Sequence, residues 1–430
     1  MLTTEENDLL CRVAGDAPMG ELMRQHWVPV CLIEEIEEPD GKPLLIEAIG
    51  RRYVAFRNTD GVVGVLDELC PHRHASLLYG RNEECGLRCL YHGWKFDVDG
   101  NCVSMTAEPD GSAMHGKVKH KSYETVEWGG FVWVWLGEDD KRFAFAPPAF
   151  APEQDTPVSV LKMRVPANWA QITEGQIDSA HSSSLHSSDM VPARITGAGA
   201  DDKSWYRPST DRSPSMQTEI TSYGFHYAAI RKPIKNATTH NYLRITEFIA
   251  PFTSLIAPNS EYNVATVIVP IDDETSYFHF IGWGGRACPT TKEWRKFAHA
   301  EVGVDVDENW VPLRTAQNDY KQDRDAMKAG NYTGIEGIPN QDLVMWVSMG
   351  PLVDRTTDIL GASDIAIVVF RRLMVDAAQQ VAQGQTAIGS GAAGIPQVEI
   401  ASREGIYPKE VDWRTLSGPV ADPTAKEPAQ

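Results

Sequence analysis

The chain has 430 residues, 42% of them hydrophobic and 23% charged, which is enough for two domains each with its own core. Its formal net charge of −19 argues against nucleic acid or an anionic membrane as partner, and no apolar run approaches the roughly 20 residues needed to span a bilayer. The 7 cysteines form an odd, scattered set without a disulfide framework, and the Met1-Leu2-Thr3-Thr4-Glu5-Glu6 start has neither the basic nor the apolar region of a secretory signal.

Residues 1–25 are expected to form a short amphipathic helix, with Leu9, Leu10, Val13, Leu22 and Met23 on its apolar side. Residues 26–137 are β-rich. Short strands are predicted at Trp27–Val30, Leu44–Ala48, Tyr53–Phe56 and Gly64–Leu66, between Gly and Asp turns. The same stretch holds Cys70-Pro71-His72 and Cys89-Leu90-Tyr91-His92. Two thiolates and two imidazoles in C-x-H…C-x-x-H order suit a [2Fe–2S] cluster of the Rieske type, whose cysteines hold one iron and whose histidines hold the other. Zinc also accepts Cys2His2, but zinc fingers put both cysteines in one motif and both histidines in the other. Tyr91, Gly93 and Trp94 would limit water access to the sulfurs. His74 is a rival imidazole, although the C-x-H spacing favours His72, and Cys85 reads as a bystander thiol. Thiols beside such a motif point to a reducing cytoplasm.

Residues 138–152 include the proline-rich tract Phe143–Pro152 and mark a linker. Beyond it, residues 153–430 begin a second domain, with the run from Asn168 to His186 as its informative feature. Asp178 and His181 are three apart, one face of a helix, and His186 follows a serine run that weakens the helix. Two imidazoles need one carboxylate to complete the facial triad that leaves iron(II) positions open for dioxygen. Taken singly, each histidine would read as a hydrogen-bonded structural residue; the pair, with carboxylates Glu174 and Asp178 close by, is read as an iron site. Strands are expected at 217–231, 240–250, 263–270 and 275–283, and helices near 291–301, 315–329 and 364–383, followed by a Gly/Ala-rich loop at 384–394. An antiparallel sheet gripped by a long C-terminal helix gives an α+β, helix-grip architecture after an all-β first domain.

Taken together, C-x-H…C-x-x-H and D-x-x-H-x-x-x-x-H resemble the oxygenase component of Rieske non-haem iron ring-hydroxylating oxygenases. The likeness runs from His26–Val30 through Gly130–Gly137 to Asp354–Asp364, a segment similar to the C-terminal signature of the phthalate dioxygenase branch. The resemblance implies Cys70, His72, Cys89 and His92 as ligands of one [2Fe–2S] cluster, and His181, His186 and Asp358 as ligands of one Fe(II). Asp354 and Asp364 are rivals to Asp358. It implies that Asp178 bridges an iron histidine to a cluster histidine of an adjacent subunit, within a homo-oligomer of one trimer or two stacked trimers. It also places residues 1–25 on the catalytic domain. The implied reaction is cis-dihydroxylation of an aromatic carboxylate such as phthalate; the other reading on the same two centres is a monooxygenase or O-demethylase. The sequence has no G-x-G-x-x-G unit set between strand and helix, so NADH oxidation is expected in a separate FMN/[2Fe–2S] reductase.

A buried aromatic carboxylate needs a paired charge, for which the planar fork of arginine is best suited. The candidates are Arg194, Arg207, Arg212, Arg231 and Arg244. Arg244 comes first, because strand alternation puts Tyr242, Arg244, Thr246 and Phe248 on one face; a surface ion pair is the competing reading. Arg207 is second, and Ser179 is expected to add a hydroxyl donor near the iron.

Overall fold

The computed structural model describes residues 2–190, 207–257, 262–285, 287–391, 395 and 397–416. The chain divides into two compact units, Val13–Phe145 and Met1–Arg12 together with Ala146–Gln430. In place of one helix over residues 1–25 there are two, Thr4–Cys11 and Pro18–Arg24, which fall in different units. The first ends where its C-cap Arg12 turns extended at ψ 129, and Gly15 between the two has φ 62, a left-handed conformation.

The Val13–Phe145 unit is built from three antiparallel sheets. Trp27–Leu32 pairs with Phe131–Trp135, which pairs with Thr125–Trp128. Leu44–Ala48, Arg51–Arg57 and Val63–Asp67 form a meander closed by Ser122–Tyr123. The third sheet joins Arg81–Glu83, Gly86–Arg88, Trp94–Phe96 and Cys102–Met105. Part of the expected linker belongs to this core. Phe143 and Phe145 pack edge-on against Trp135 and Trp27, with ring centroids 5.1 and 5.5 Å apart.

The other unit is an eight-stranded antiparallel sheet. In spatial order its path runs Val158–Val165, Ser276–Trp283, Asn263–Pro270, Thr253–Ile256, His240–Ile249, Gly224–Arg231 and Ser215–Thr221. Arg403–Pro408 pairs with residues 240–245 of the His240–Ile249 strand, beside the 247–249 stretch that pairs with Thr253–Ile256. The helix Ile365–Ala382 buries Ile367, Phe370, Arg371, Met374, Ala378 and Val381, a stripe at helical spacing. Its Phe370 stands edge-on to Phe248 of the sheet (5.2 Å) and to Trp169 (5.8 Å), fixing the helix across one sheet face. That face carries Arg244 and Thr246 into a pocket, because residues two apart on a strand point the same way. Among the described residues no helix is long and apolar enough to cross a membrane.

Candidate metal centres

In the first unit, the two cysteine loops are built alike. The N–H of Cys70 bonds the carbonyl of Ala75 and its carbonyl accepts from His74 (both 2.9 Å); Cys89 does the same with Trp94 (2.8 Å) and Gly93 (3.0 Å). His74 and Gly93 take equivalent places in the two turns, at φ 57 and φ 72. This accounts for His74: it turns the loop. At Gly93 a Cβ would sit 1.9 Å from Thr106 Oγ1, so no larger residue fits. Both cysteines are buried, and the His72 and His92 rings meet at 4.4 Å with His72 also stacked on Trp94 at 4.4 Å. Burial above all pushes the Cys70 thiol up to about 11, so a metal held there must displace its proton. The Nδ1 of His72 is buried without a hydrogen-bond partner. Leaving a polar atom so costs about 1–3 kcal/mol, which a bond to iron would remove. The donors present therefore fit a Rieske cluster.

In the second unit, the helix Trp169–Gln176 starts from Asn168, whose side chain accepts from the Ala170 N–H at 3.0 Å. It ends before Asp178, so Asp178 and His181 do not share a continuous helix. Instead Asp178 Oδ1 accepts from the backbone N–H of Ala180 (2.7 Å) and His181 (3.3 Å), opening a short 3-10 turn over His181–Ser183. The turn brings the two imidazoles together, with Nε2 atoms 3.0 Å apart.

The carboxylate that joins them is Asp342, on the helix Ile338–Ser348. Its Oδ1 lies 3.2 Å from His186 Nε2 and 3.6 Å from His181 Nε2. Bonds of about 2.1 Å to one ion at right angles would set donor atoms about 3.0 Å apart, so this trio fits one face of an octahedral metal. Among the described residues it is the group whose ligand atoms converge, all within 4.8 Å. The far side of each ring is also held. His186 Nδ1 bonds Gln341 Oε1 at 2.7 Å, and His181 Nδ1 faces Asp178 Oδ2 at 3.5 Å. Burial opposes charge on His181, but Asp178 and Asp342 outweigh it and hold the imidazole above its usual range. Gln341 is itself fixed, donating to Asp189 Oδ2 (2.8 Å) and the Ile335 carbonyl (2.9 Å). Gln341→Leu is expected to weaken iron binding about 10- to 100-fold, read by competition with a chelator, because His186 loses the acceptor that aims it.

Asp358, expected as the iron carboxylate, lies elsewhere. Its Oδ2 pairs with Arg371 at 2.7 Å. The rivals are used locally too: Asp354 Oδ1 accepts from the Thr356 N–H and hydroxyl (2.9 and 2.7 Å), and Asp364 Oδ2 accepts from the Gly361 N–H (2.6 Å). The acidic signature leads into the long helix and does not reach the histidines. Asp342 was the residue missed. Its signal was Asn340-Gln341-Asp342, three polar residues buried in a row at the start of an otherwise apolar helix.

Asp178, Ser179, His181, His186 and Asp342 line one pocket with Arg244 and Thr246, and Val264, Phe278 and Ile338 give it apolar walls. Arg207 stands just behind. Its Nη2 donates to Ser182 Oγ at 2.6 Å, and Nη1 lies 3.4 Å from Ser183 Oγ. Arg231 Nη2 donates to the Ser179 carbonyl at 2.7 Å, and its Nη1 to Ser179 Oγ at 3.3 Å. Burial first, then repulsion from Arg244, lowers Arg207 to about 9 and Arg231 to about 10. Arg212 is exposed and bonds the Ser183 carbonyl at 3.0 Å, outside the pocket. Arg194 lies outside the described residues.

Comparison with known proteins agrees with both centres. A family described as "Rieske [2Fe-2S] domain" matches residues 26–126, and one described as "LigXa C-terminal domain like" matches residues 134–427. The phthalate 4,5-dioxygenase oxygenase subunit of Pseudomonas putida is 58% identical over 96% of this chain and 94% of its own length. The 3-chlorobenzoate-3,4-dioxygenase oxygenase subunit of Comamonas testosteroni is 33% identical, covering 96% of this chain and 98% of that protein. Among solved structures, the terminal oxygenase of carbazole 1,9a-dioxygenase from Novosphingobium sp. KA1 shares the fold. Its TM-score is 0.55 at 19% identity, over 86% of this chain and 95% of that one.

Proposed function

This chain belongs to the family of Rieske non-haem iron oxygenases, and on that premise we propose that it dihydroxylates phthalate, or a close benzene dicarboxylate, at the 4,5 positions. It is an oxygenase component with a [2Fe–2S] cluster and a mononuclear iron as its cofactors. When bound, these groups supply single-electron transfer and dioxygen activation. In this reading Cys70, His72, Cys89 and His92 would hold the cluster, and His181, His186 and Asp342 the iron.

The chain's own residues do the rest. Gln341 and Asp178 occupy the Nδ1 sides of the iron histidines and so direct both Nε2 atoms to one point. The walls Val264, Phe278 and Ile338 would take the aromatic ring and exclude water beside the iron. Asp178 is further read as the link from His181 to a cluster histidine of a neighbouring copy. A head-to-tail ring, one trimer or two stacked, would supply that neighbour. The electron donor is read as an NADH-dependent reductase carrying FMN and a [2Fe–2S] cluster. A cytoplasmic setting is supported by 7 cysteines, none of them in a disulfide.

The observation that carries the substrate reading is the trio of buried guanidiniums, Arg207, Arg231 and Arg244, at 5, 2 and 4% exposure beside the iron pocket. Burying like charges is unfavourable unless anions join them. Arg207 and Arg244 are assigned to the substrate carboxylates, with Ser179 contributing its hydroxyl. A charge-assisted hydrogen bond contributes about 1.5–3 kcal/mol, so Arg207→Gln and Arg244→Gln should each raise KM for phthalate about 10- to 150-fold. KM for an uncharged analogue such as the dimethyl ester should stay within about twofold. Equal losses on both substrates would discard the assignment. Labelled dioxygen should place two atoms in the product; a single atom would point to the monooxygenase reading.

A further inference from the structure

Arg244 has a charged partner on the neighbouring strand. In the pairing of His240–Ile249 with Arg403–Pro408, Arg244 stands opposite Glu404. Its Nη1 lies 3.4 Å from Glu404 Oε2, while its Nη2 donates to the Ala257 carbonyl at 2.9 Å. The Tyr242 hydroxyl donates to the other oxygen of Glu404. The Glu404 carboxylate is 11% exposed, and it feels the charges of Arg207 and Arg231 as well as of Arg244. Other carboxylates near the arginines are committed elsewhere. Asp211 acts on Arg231 less than burial, Arg244, Tyr242 and Tyr227 do, and it sits where water screens it, accepting from the exposed backbone N–H of Ser213 (3.0 Å) and Lys232 (3.1 Å). Asp178 and Asp342 face the iron histidines. The Nε atoms of Arg207 and Arg231 are buried with no partner.

We propose that Glu404 is the charge-counting residue of this pocket: among the described residues it supplies one carboxylate to three guanidiniums and leaves two positive charges for a dianionic ligand. This rests on the anionic-substrate reading and deepens it, since it names what separates a dicarboxylate from a monocarboxylate. The physics is linear in ligand charge. Removing one buried negative charge changes the potential at the ligand, and the work is that change multiplied by the charge the ligand carries. A neutral ligand is indifferent, a monoanion gains once and a dianion gains twice on a logarithmic scale. A residue that merely braced the strand would shift all three alike.

The test is calorimetric titration of the oxidised holoenzyme with phthalate, benzoate and dimethyl phthalate. It is run at about pH 8, far above the ordinary carboxyl value of about 4.3, because burial pushes the Glu404 carboxyl upward. The wild type should rank them dianion, monoanion, neutral. Glu404→Gln keeps the shape and removes the charge. It should tighten benzoate about tenfold and phthalate about a hundredfold, leaving the ester unchanged. Glu404→Asp should keep the wild-type ratios. The double variant Glu404→Gln with Arg231→Gln restores the count and should return the dianion-to-monoanion ratio towards the wild-type value. It also serves if the single variant does not accumulate as folded protein. A uniform shift on all three ligands, no shift, or a double variant that keeps an altered ratio overturns the proposal. A wild type that binds all three ligands alike would instead remove the anionic-substrate reading itself.

Discussion

Asp342→Ala is expected to strip the mononuclear iron and lower turnover by well over a hundredfold, while the visible spectrum of the Rieske cluster stays intact. Losing even a residue that only orients a metal ligand costs 10- to 100-fold in affinity or activity, and Asp342 is placed as a ligand itself. With it gone, His181 and His186 have no third donor among the described residues within reach of their Nε2 atoms. The cluster ligands lie in the other compact unit, so their spectrum reports the folding of that unit, and an unchanged Tm reports the folding of the catalytic one. Asp358→Asn is the matched comparison. Asp358 touches Arg371, which keeps two contacts to Glu174, so this variant should retain wild-type iron per chain and lose at most modest stability. Iron analysis and absorbance on the two purified proteins distinguish the assignments. Iron retained in Asp342→Ala and lost in Asp358→Asn would reverse them.

The reason Asp342 escaped the sequence reading is instructive. His181 and His186 announce themselves because their spacing is short and local. The third ligand arrives from a helix far along the chain, where no local period marks it. What places it is tertiary. At Gly175 a Cβ would fall 2.4 Å from Trp346 Nε1, so a glycine is what lets the helix Ile338–Ser348 approach Trp169–Gln176 so closely. Gln171 locks the approach by donating to the Trp346 carbonyl at 3.0 Å. Elements with a strong period were legible: the strands His240–Ile249, Asn263–Pro270 and Ser276–Trp283 and the helix Ile365–Ala382 fall within a residue of their expected bounds. The short strands Arg81–Glu83, Gly86–Arg88 and Trp94–Phe96 were not, since three residues cannot establish an alternation. The expected helix over 315–329 is a kinked 3-10 segment, Ala316–Lys321, and a helix, Arg324–Lys328, because Asp319 and Tyr320 inside the first take positive φ values of 47 and 54. Arg244 lines the pocket on the face that strand alternation gives it, yet its pairing with Glu404 depends on a strand that closes the sheet from beyond residue 400.

Glu174→Gln should destabilise the catalytic unit by about 3–5 kcal/mol, the usual consequence of removing one partner from a buried ionic group. Glu174 lies two turns into the helix that leads to Asp178 and holds two arginines at once. Arg355 Nε and Arg371 Nε both donate to Oε1 at 2.8 Å, and their Nη2 atoms reach Oε2 at 3.3 and 3.2 Å. Arg355 is fully buried and extends the clasp to the first helix, bonding Asn7 Oδ1 at 3.2 Å and Cys11 Sγ at 3.1 Å. One carboxylate thus ties Thr4–Cys11, Trp169–Gln176 and Ile365–Ala382 together, which gives the Asp354–Asp364 signature a structural purpose. Burial alone would raise the Glu174 carboxyl, but the two arginines overcome it and hold it below its usual value. A depressed folded pKa adds stability that is complete above the unfolded carboxyl value of about 4.3 and fades as pH falls through the lower folded value. Wild type and Glu174→Gln should therefore differ by about 6–15 °C in Tm at neutral pH and converge in acid. A triple exchange of Glu174, Arg355 and Arg371 to apolar residues should recover much of the loss, because no buried charge is then left alone. If Glu174→Gln melts with the wild type at neutral pH, the clasp is not what fixes the helix that presents Asp178 and His181 to the metal.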